Sequence, residues 1–438
     1  MNTPNLHPDP VALESAAMAL YQSGDNDAAV AGFRELLALA PEHSTALQFL
    51  GFQAAQAQNF AEAAEFYRRA SWVQPNDAAT LFNLAMALFG LRDLDGALEA
   101  IDGTLARDPD FLQAQLYRGL ILEQLQRPAD AAAAFLRATR FAEARLDPRQ
   151  IPTELKHFLN YALAAVRNRV DQEMESALAP LAHAHGDAAI ERLRKAAAIF
   201  AGKISPEFAH PKWRPGLFYV PDLPPRAFYE RADFPWVARV EAATEMIREE
   251  LLGVLGGGVG FAPYVDHPDG SHGAAVFKEI NRSEDWSAFH FFRHGERIEA
   301  NCARCPKTAE LLASLDLNHV PGYGPEVMFS VLKAHSRIPA HYGAVNGRLV
   351  VHLPLIVPPD CGGLRVSEET RSWTTGELMF FDDTFEHEAW NHSDETRVVL
   401  IFDTWNPNLT AVEREAFCAV LAAAQAFERQ ALTPADQR

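Results

Sequence analysis

The chain has 438 residues, 48% hydrophobic and 22% charged, a balance expected of a soluble globular protein long enough for two or three domains. Its formal charge of -19 has the wrong sign for gathering nucleic acid or anionic lipid through a long-range field. Four cysteines are too few for a disulfide scaffold, no apolar run nears the ~20 residues that span a bilayer, and the start MNTPNLHPDP lacks the basic residues and apolar core of a signal peptide; the expectation is a cytoplasmic protein with no membrane span and no nucleic-acid partner.

The N-terminal third repeats itself. Pro41, Pro75 and Pro109 recur at 34-residue steps, the period of a tetratricopeptide-type helix-turn-helix repeat. In that register Ala17, Gly51, Ala85 and Gly119 share one position, and Ala29, Ala63, Ala97 and Ala131 share another. Small side chains there let the two helices of a repeat approach closely. Each proline follows a second helix and stops it, because it cannot donate the next helical hydrogen bond. The fourth unit has Glu143 in place of the closing proline, as an end repeat often does. The prediction is an α-helical superhelix over 8–146, with a groove for a protein or peptide substrate.

Residues 147–204 keep a helical period in ELKHFLNYALAAVRNRV and AAIERLRKAAAIF and are expected to form connecting or capping helices. HPKWRPGLFYVPDLPP then packs five prolines into sixteen residues, which no helix or central strand tolerates, so the next domain is expected to start near 205. From about 326 to 405 short runs rich in β-branched and aromatic residues alternate with turns, the pattern of a small antiparallel barrel or jelly roll. The predicted chain is therefore multidomain α plus β, with a barrel domain over 205–410 and a C-terminal helix and tail over 411–438.

Within RLVVHLPL the two-residue period of a strand places Arg348, Val350 and His352 on one face and Leu349, Val351 and Leu353 on the other. In TRVVLIFDTW, Arg397 shares a face with Val399 and Ile401. A cation aimed into an apolar interior is expensive unless an anion meets it, so these strands call for an anionic ligand. His341 and His387 lie beside them, and imidazole suits ferrous iron. A carboxylate two places after His341 would complete a 2-His-1-carboxylate triad, but Gly343 stands there. Two imidazoles make a plausible site if a 2-oxo-dicarboxylate supplies oxygens to the metal and its far carboxylate pairs with Arg397 and His352.

PAHYGAVNGRLVVHLPLIVP and GELMFFDDTFEHEAWNHSDETRVVLIFDTWNP, with WSAFHFFRHGERIEANCARCPKTAELL upstream, resemble the aspartyl/asparaginyl β-hydroxylase family over about residues 210–408. The H-x-G start and the F-D-D-x-x-x-H-E block are the specific motifs. The resemblance implies a double-stranded β-helix (jelly-roll or cupin-like) and an Fe(II)- and 2-oxoglutarate-dependent dioxygenase. It implies hydroxylation, with O2, of the β-carbon of Asp or Asn residues in a protein or peptide. It puts the metal on His341 and His387, 2-oxoglutarate on Ser330, His352, Arg397 and Trp286, and the substrate's acidic side chain on Arg348. Gly343 matches the family's lack of a carboxylate ligand, whereas Val350 stands where the vertebrate enzyme has a second arginine.

Other features read more simply. Cys302 and Cys305 form a lone C-x-x-C without the second pair that zinc wants and are expected to be reduced thiols, with Cys361 and Cys418 as small buried residues. Gly256–Gly260 is a loop without the setting of a phosphate cradle, and His335 and His392 are surface histidines. Asp382, Asp383, Glu386 and Glu388 crowd around His387, and Asp383 is the best candidate to orient it. The rival functions are hydroxylation of a lipid A-type or small-molecule substrate, halogenation with chloride in the H-x-G gap, and a non-catalytic repeat scaffold.

Overall fold

A computed structural model describes residues 9–433; position 8 of the expected repeat domain and positions 434–438 of the expected tail lie outside the described residues. One compact unit runs up to Arg169 and takes in the residues from Glu428 on, and the other is Val170–Phe427. The division falls inside the helix Thr153–His185, ahead of the proline-rich stretch where the composition changes.

The first unit contains four helix pairs: Pro10–Gln22 with Asn26–Leu39, Ser44–Gln56 with Phe60–Val73, Ala78–Gly90 with Leu94–Arg107, and Leu112–Gln124 with Pro128–Arg145. The small-residue columns lie between paired helices. Ala29, Ala63 and Ala97 have no exposed surface, and a Cβ on Gly119 would sit 2.2 Å from the Phe135 ring. Without a proline at 143, the last helix runs on to Arg145. Two further 34-residue series appear in the turns. Gly24, Gln58, Arg92 and Gln126 all take a left-handed φ, and the next residues Asp25, Asn59 and Asp93 cap the following helix through their side chains.

The second unit is built on twelve strands: β1 (Phe228–Tyr229), β2 (Ala262–Pro263), β3 (Trp286–Arg293), β4 (Glu296–Arg297), β5 (Val327–Leu332), β6 (Ser336–His341), β7 (Arg348–Ile356), β8 (Gly362–Val366), β9 (Glu369–Arg371), β10 (Met379–Phe381), β11 (His387–Asn391) and β12 (Arg397–Trp405). The larger sheet has the order β1-β10-β7-β12-β5-β3-β2, with β4 on β3, and the smaller has the order β6-β11-β8-β9. The pairs are antiparallel throughout.

Alternation along β7 sorts its side chains. Leu349, Val351, Leu353 and Leu355 join Val240, Ile247, Leu251 and Leu312 in a fully apolar layer under helices. Burying each is worth about 1.5–3 kcal/mol, so the register of β7 is strongly fixed. The same register sends Arg348, Val350 and His352 the other way, into a cavity walled by both sheets. Strand β12 does likewise with Arg397, Ile401 and Asp403.

Candidate active site

His341 ends β6 and His387 begins β11, and the two are direct cross-strand partners. Their ring centroids are 4.0 Å apart. His341 Nδ1 lies 2.8 Å from the Pro339 carbonyl oxygen, and His387 Nδ1 lies 3.0 Å from that of Phe385. Each Nδ1 therefore carries the proton and donates it to a carbonyl, which leaves Nε2 with a free lone pair. Burial, then the neighbouring His387 ring, pushes His341 down to about 3; burial likewise takes His387 to about 4. Both rings are neutral, the form that ligates a metal. Among the described residues no group of three or more His, Cys, Asp or Glu is arranged to hold a metal ion, so this pair offers two protein nitrogens only.

Gly343 shows why no third ligand starts there. A Cβ at this position would lie 2.2 Å from the Asp383 carboxyl carbon. The Gly343 N–H also donates to the Asp383 carbonyl at 2.7 Å. Space that a residue-343 side chain would need is taken by a carboxylate delivered from the loop before β11. The other three acids near His387 face elsewhere. Asp382 accepts from Trp213 Nε1 at 2.9 Å, Glu388 pairs with Arg337 and Arg365, and Glu386 pairs with Arg365 and Lys212.

At one end of the cavity Arg397 is 1% exposed. Its guanidinium lies 4.7 Å over the Trp373 ring, and its Nε and Nη1 have no acceptor. Burial without a carboxylate lowers its pKa to about 10. Two more donors meet this end, the Nε2–H of His352 and the hydroxyl of Ser330. Trp373 Nε1 donates to His352 Nδ1 at 3.2 Å, which places the His352 proton on Nε2. Burial, then the charge of Arg397, holds His352 well below its usual pKa and keeps it neutral. Trp286 Nε1 donates to Ser330 Oγ at 3.1 Å, leaving the hydroxyl hydrogen of Ser330 free. These groups can bind a carboxylate.

The other end is arranged differently. Arg348 donates from Nη2 to Asp383 at 2.8 Å and from Nη1 to Asp403 at 2.5 Å. Burial alone would lower the Arg348 pKa, but the two aspartates more than offset that and hold it above its usual value. Glu326 and Tyr264 complete the lining, and burial pushes Glu326 up to about 7. All seven site residues predicted from sequence line this one cavity, but Arg348, expected to be open to a substrate acid, has both ends of its guanidinium engaged.

Sequence reasoning missed Asp403, Glu326, Tyr264 and Trp373. Asp403 and Glu326 were within its reach, since Arg397, Val399, Ile401 and Asp403 alternate on one face, as do Glu326, Met328 and Ser330. Elsewhere, Cys302, Cys305 and Cys361 are free and buried, Cys418 is free and half-buried, and His335 and His392 are exposed.

Residues 241–407 match the family model described as Aspartyl/Asparaginyl beta-hydroxylase, and residues 15–77 and 82–148 match that of the Tetratricopeptide repeat. The chain is 36% identical over 181 residues to an ornithine lipid ester-linked acyl 2-hydroxylase of Rhizobium tropici, covering 41% of this chain and 60% of that one. It is 29% identical over 213 residues to human aspartyl/asparaginyl beta-hydroxylase, covering 48% of this chain and 26% of the relative. It is 32% identical over 216 residues to aspartate beta-hydroxylase domain-containing protein 2 of Rattus norvegicus, covering 48% and 59%. In each case the match spans less than two thirds of the relative. Among the described residues no helix is long and apolar enough to cross a membrane.

Proposed function

We propose that the cavity between the two sheets is the site of an Fe(II)- and 2-oxoglutarate-dependent hydroxylase. One observation carries this reading: Arg397 is a wholly buried guanidinium with two donors lacking any acceptor, in the same cavity as the two histidines. An unpaired buried cation costs several kcal/mol, and a carboxylate removes that cost. A 2-oxo-dicarboxylate fits both ends of the requirement, with one carboxylate on Arg397 and its 2-oxo acid end at a metal on His341 and His387. When bound, the iron with 2-oxoglutarate and O2 supplies the oxidation, placing one oxygen atom on a substrate C–H carbon and the other in succinate as CO2 is released.

The protein's own residues position and shield. Arg397, Ser330 and His352 hold the distal carboxylate through charge-assisted bonds. Trp373 fixes the His352 tautomer and covers Arg397. Pro339 and Phe385 carbonyls aim the histidines, and Phe277 packs edge-on to His341 at 5.0 Å. Asp383, seated against Gly343, ties this metal end to Arg348.

The substrate reading is the β-carbon of an Asn or Asp residue in a protein or peptide, brought in by the repeats. Support comes from the family match and the four helix pairs. With Arg348 already paired to two aspartates, the neutral amide of Asn fits better than the acid of Asp. A second reading, hydroxylation of a lipid acyl chain, has support in the 36% identity to the R. tropici protein.

The test is succinate release on adding Fe(II), 2-oxoglutarate and candidate peptides or lipids, with a mass gain of about 16 Da on the substrate. His387→Ala is expected to cut turnover at least about a hundredfold, beyond the loss typical of an outer-shell partner. Undiminished turnover in that variant, or none from the parent with any candidate, would refute the reading.

A further inference from the structure

The far end of the cavity specifies what the substrate brings to it, an inference that rests on the hydroxylase reading above. Three carboxylates surround one guanidinium there. Arg348 satisfies one oxygen of Asp383 and one of Asp403. The second oxygen of Asp403 accepts the Glu326 backbone N–H at 2.9 Å. Glu326 Oε1 accepts the His294 backbone N–H at 2.5 Å, and its Oε2 lies 3.6 Å from His290 Nδ1. The second oxygen of Asp383 is different: it is buried and has no donor at all, although the residue is only 7% exposed and lines the cavity.

The charge balance points the same way as the orphan acceptor. Arg348 against two aspartates leaves a net negative wall before Glu326 is counted. Among the described residues no second Arg or Lys lines this end: His290 is buried and neutral, Arg293 at the end of β3 is exposed outside the lining, and the exposed His294 ring, 3.1 Å from Glu326 Oε1, meets that carboxylate from outside the cavity. An entering carboxylate would face Asp383 Oδ1 with like charge and give it no hydrogen. An N–H donor would satisfy it, and leaving such an acceptor unmet costs about 1–3 kcal/mol. An ammonium adds attraction to the net negative wall and carries three rotatable donors.

We infer that the substrate group entering beside Arg348 is a nitrogen donor, a carboxamide or an alkylammonium, and not a carboxylate.

The test uses the full chain with Mn(II) as an inert metal and saturating 2-oxoglutarate, so that the Arg397 end is filled. Calorimetry first measures 2-oxoglutarate binding; its absence sinks the hydroxylase reading itself. Butylamine and butyrate are then titrated separately into the loaded protein. Butylammonium is expected to bind at least about tenfold more tightly, the size of one charged hydrogen bond. Asp383→Asn should bring the two probes close to parity while the 2-oxoglutarate affinity is kept. If that variant loses 2-oxoglutarate, Asp403→Asn takes its place. Butyrate binding as tightly as butylammonium, neither probe binding, or a butylammonium affinity indifferent to both variants each overturns the inference while leaving the 2-oxoglutarate result standing.

Discussion

Arg348 and Arg397 are the same residue on neighbouring strands, aimed into the same cavity, and their surroundings are opposite. Among the described residues Arg397 pairs with no carboxylate and keeps two unsatisfied donors, whereas Arg348 pairs with two carboxylates and shares the cavity lining with a third. Sequence treats them alike, as cations turned inward. Their partners separate a guanidinium that awaits an anion from one that holds the wall together.

That contrast can be broken most directly on stability. Arg348→Met strands two buried carboxylates and is expected to cost about 3–5 kcal/mol of unfolding free energy. Arg397→Met removes a cation that has no partner to lose, so its stability should be unchanged or higher. Chemical denaturation of the pair measures this, and equal losses would erase the distinction. The ranking reverses for cofactor: Arg397→Met should weaken 2-oxoglutarate binding about 10–100-fold, the worth of a charge-assisted hydrogen bond, as read by calorimetry. A smaller change sharpens the Arg397 end. Trp373→Phe keeps a ring over the guanidinium but removes the N–H that sets His352, and about a 3–10-fold loss in 2-oxoglutarate affinity is expected. Unaltered affinity would show that the His352 tautomer is set by something else.

The smallest effect concerns pH at the Arg348 end. Burial pushes Glu326 up to about 7, so the folded chain keeps a proton that an ordinary unfolded carboxyl releases near 4.5. Folding then takes up a proton in that window, and this group's contribution to stability falls as pH rises from about 4.5 to about 7. Glu326→Gln should flatten the decline in Tm over that range, leaving the share of Asp382, which burial also raises to about 7. Curves that stay parallel for the two proteins would remove Glu326 from the account.

Much of this architecture was readable beforehand because it follows simple periods. Equally spaced prolines and small residues gave away the helix pairs, and two-residue alternation in β7 and β12 showed which side chains turn inward. The same alternation, carried two residues past Ile401 and two before Met328, reaches Asp403 and Glu326. Other parts have no such period. Nothing about Gln58, Arg92 or Gln126 marks a left-handed turn, since that conformation is imposed by the packing of successive helices rather than preferred by the residue. Trp373 and Tyr264 come from connecting or edge segments, where side-chain direction is set by tertiary contacts. Nor does a string of residues reveal that Asp383 occupies the room left at Gly343.

That occupancy constrains how this chemistry could be changed by mutation. Grafting an acid onto position 343 to build a third metal ligand would, as a lone step, displace the Asp383 carboxylate from its seat, because the incoming Cβ would lie 2.2 Å from it. Vacating position 383 first would unbalance Arg348, so that route also begins with a loss. The two-ligand arrangement therefore sits in a mutational valley, and leaving it requires coupled substitutions in separate loops.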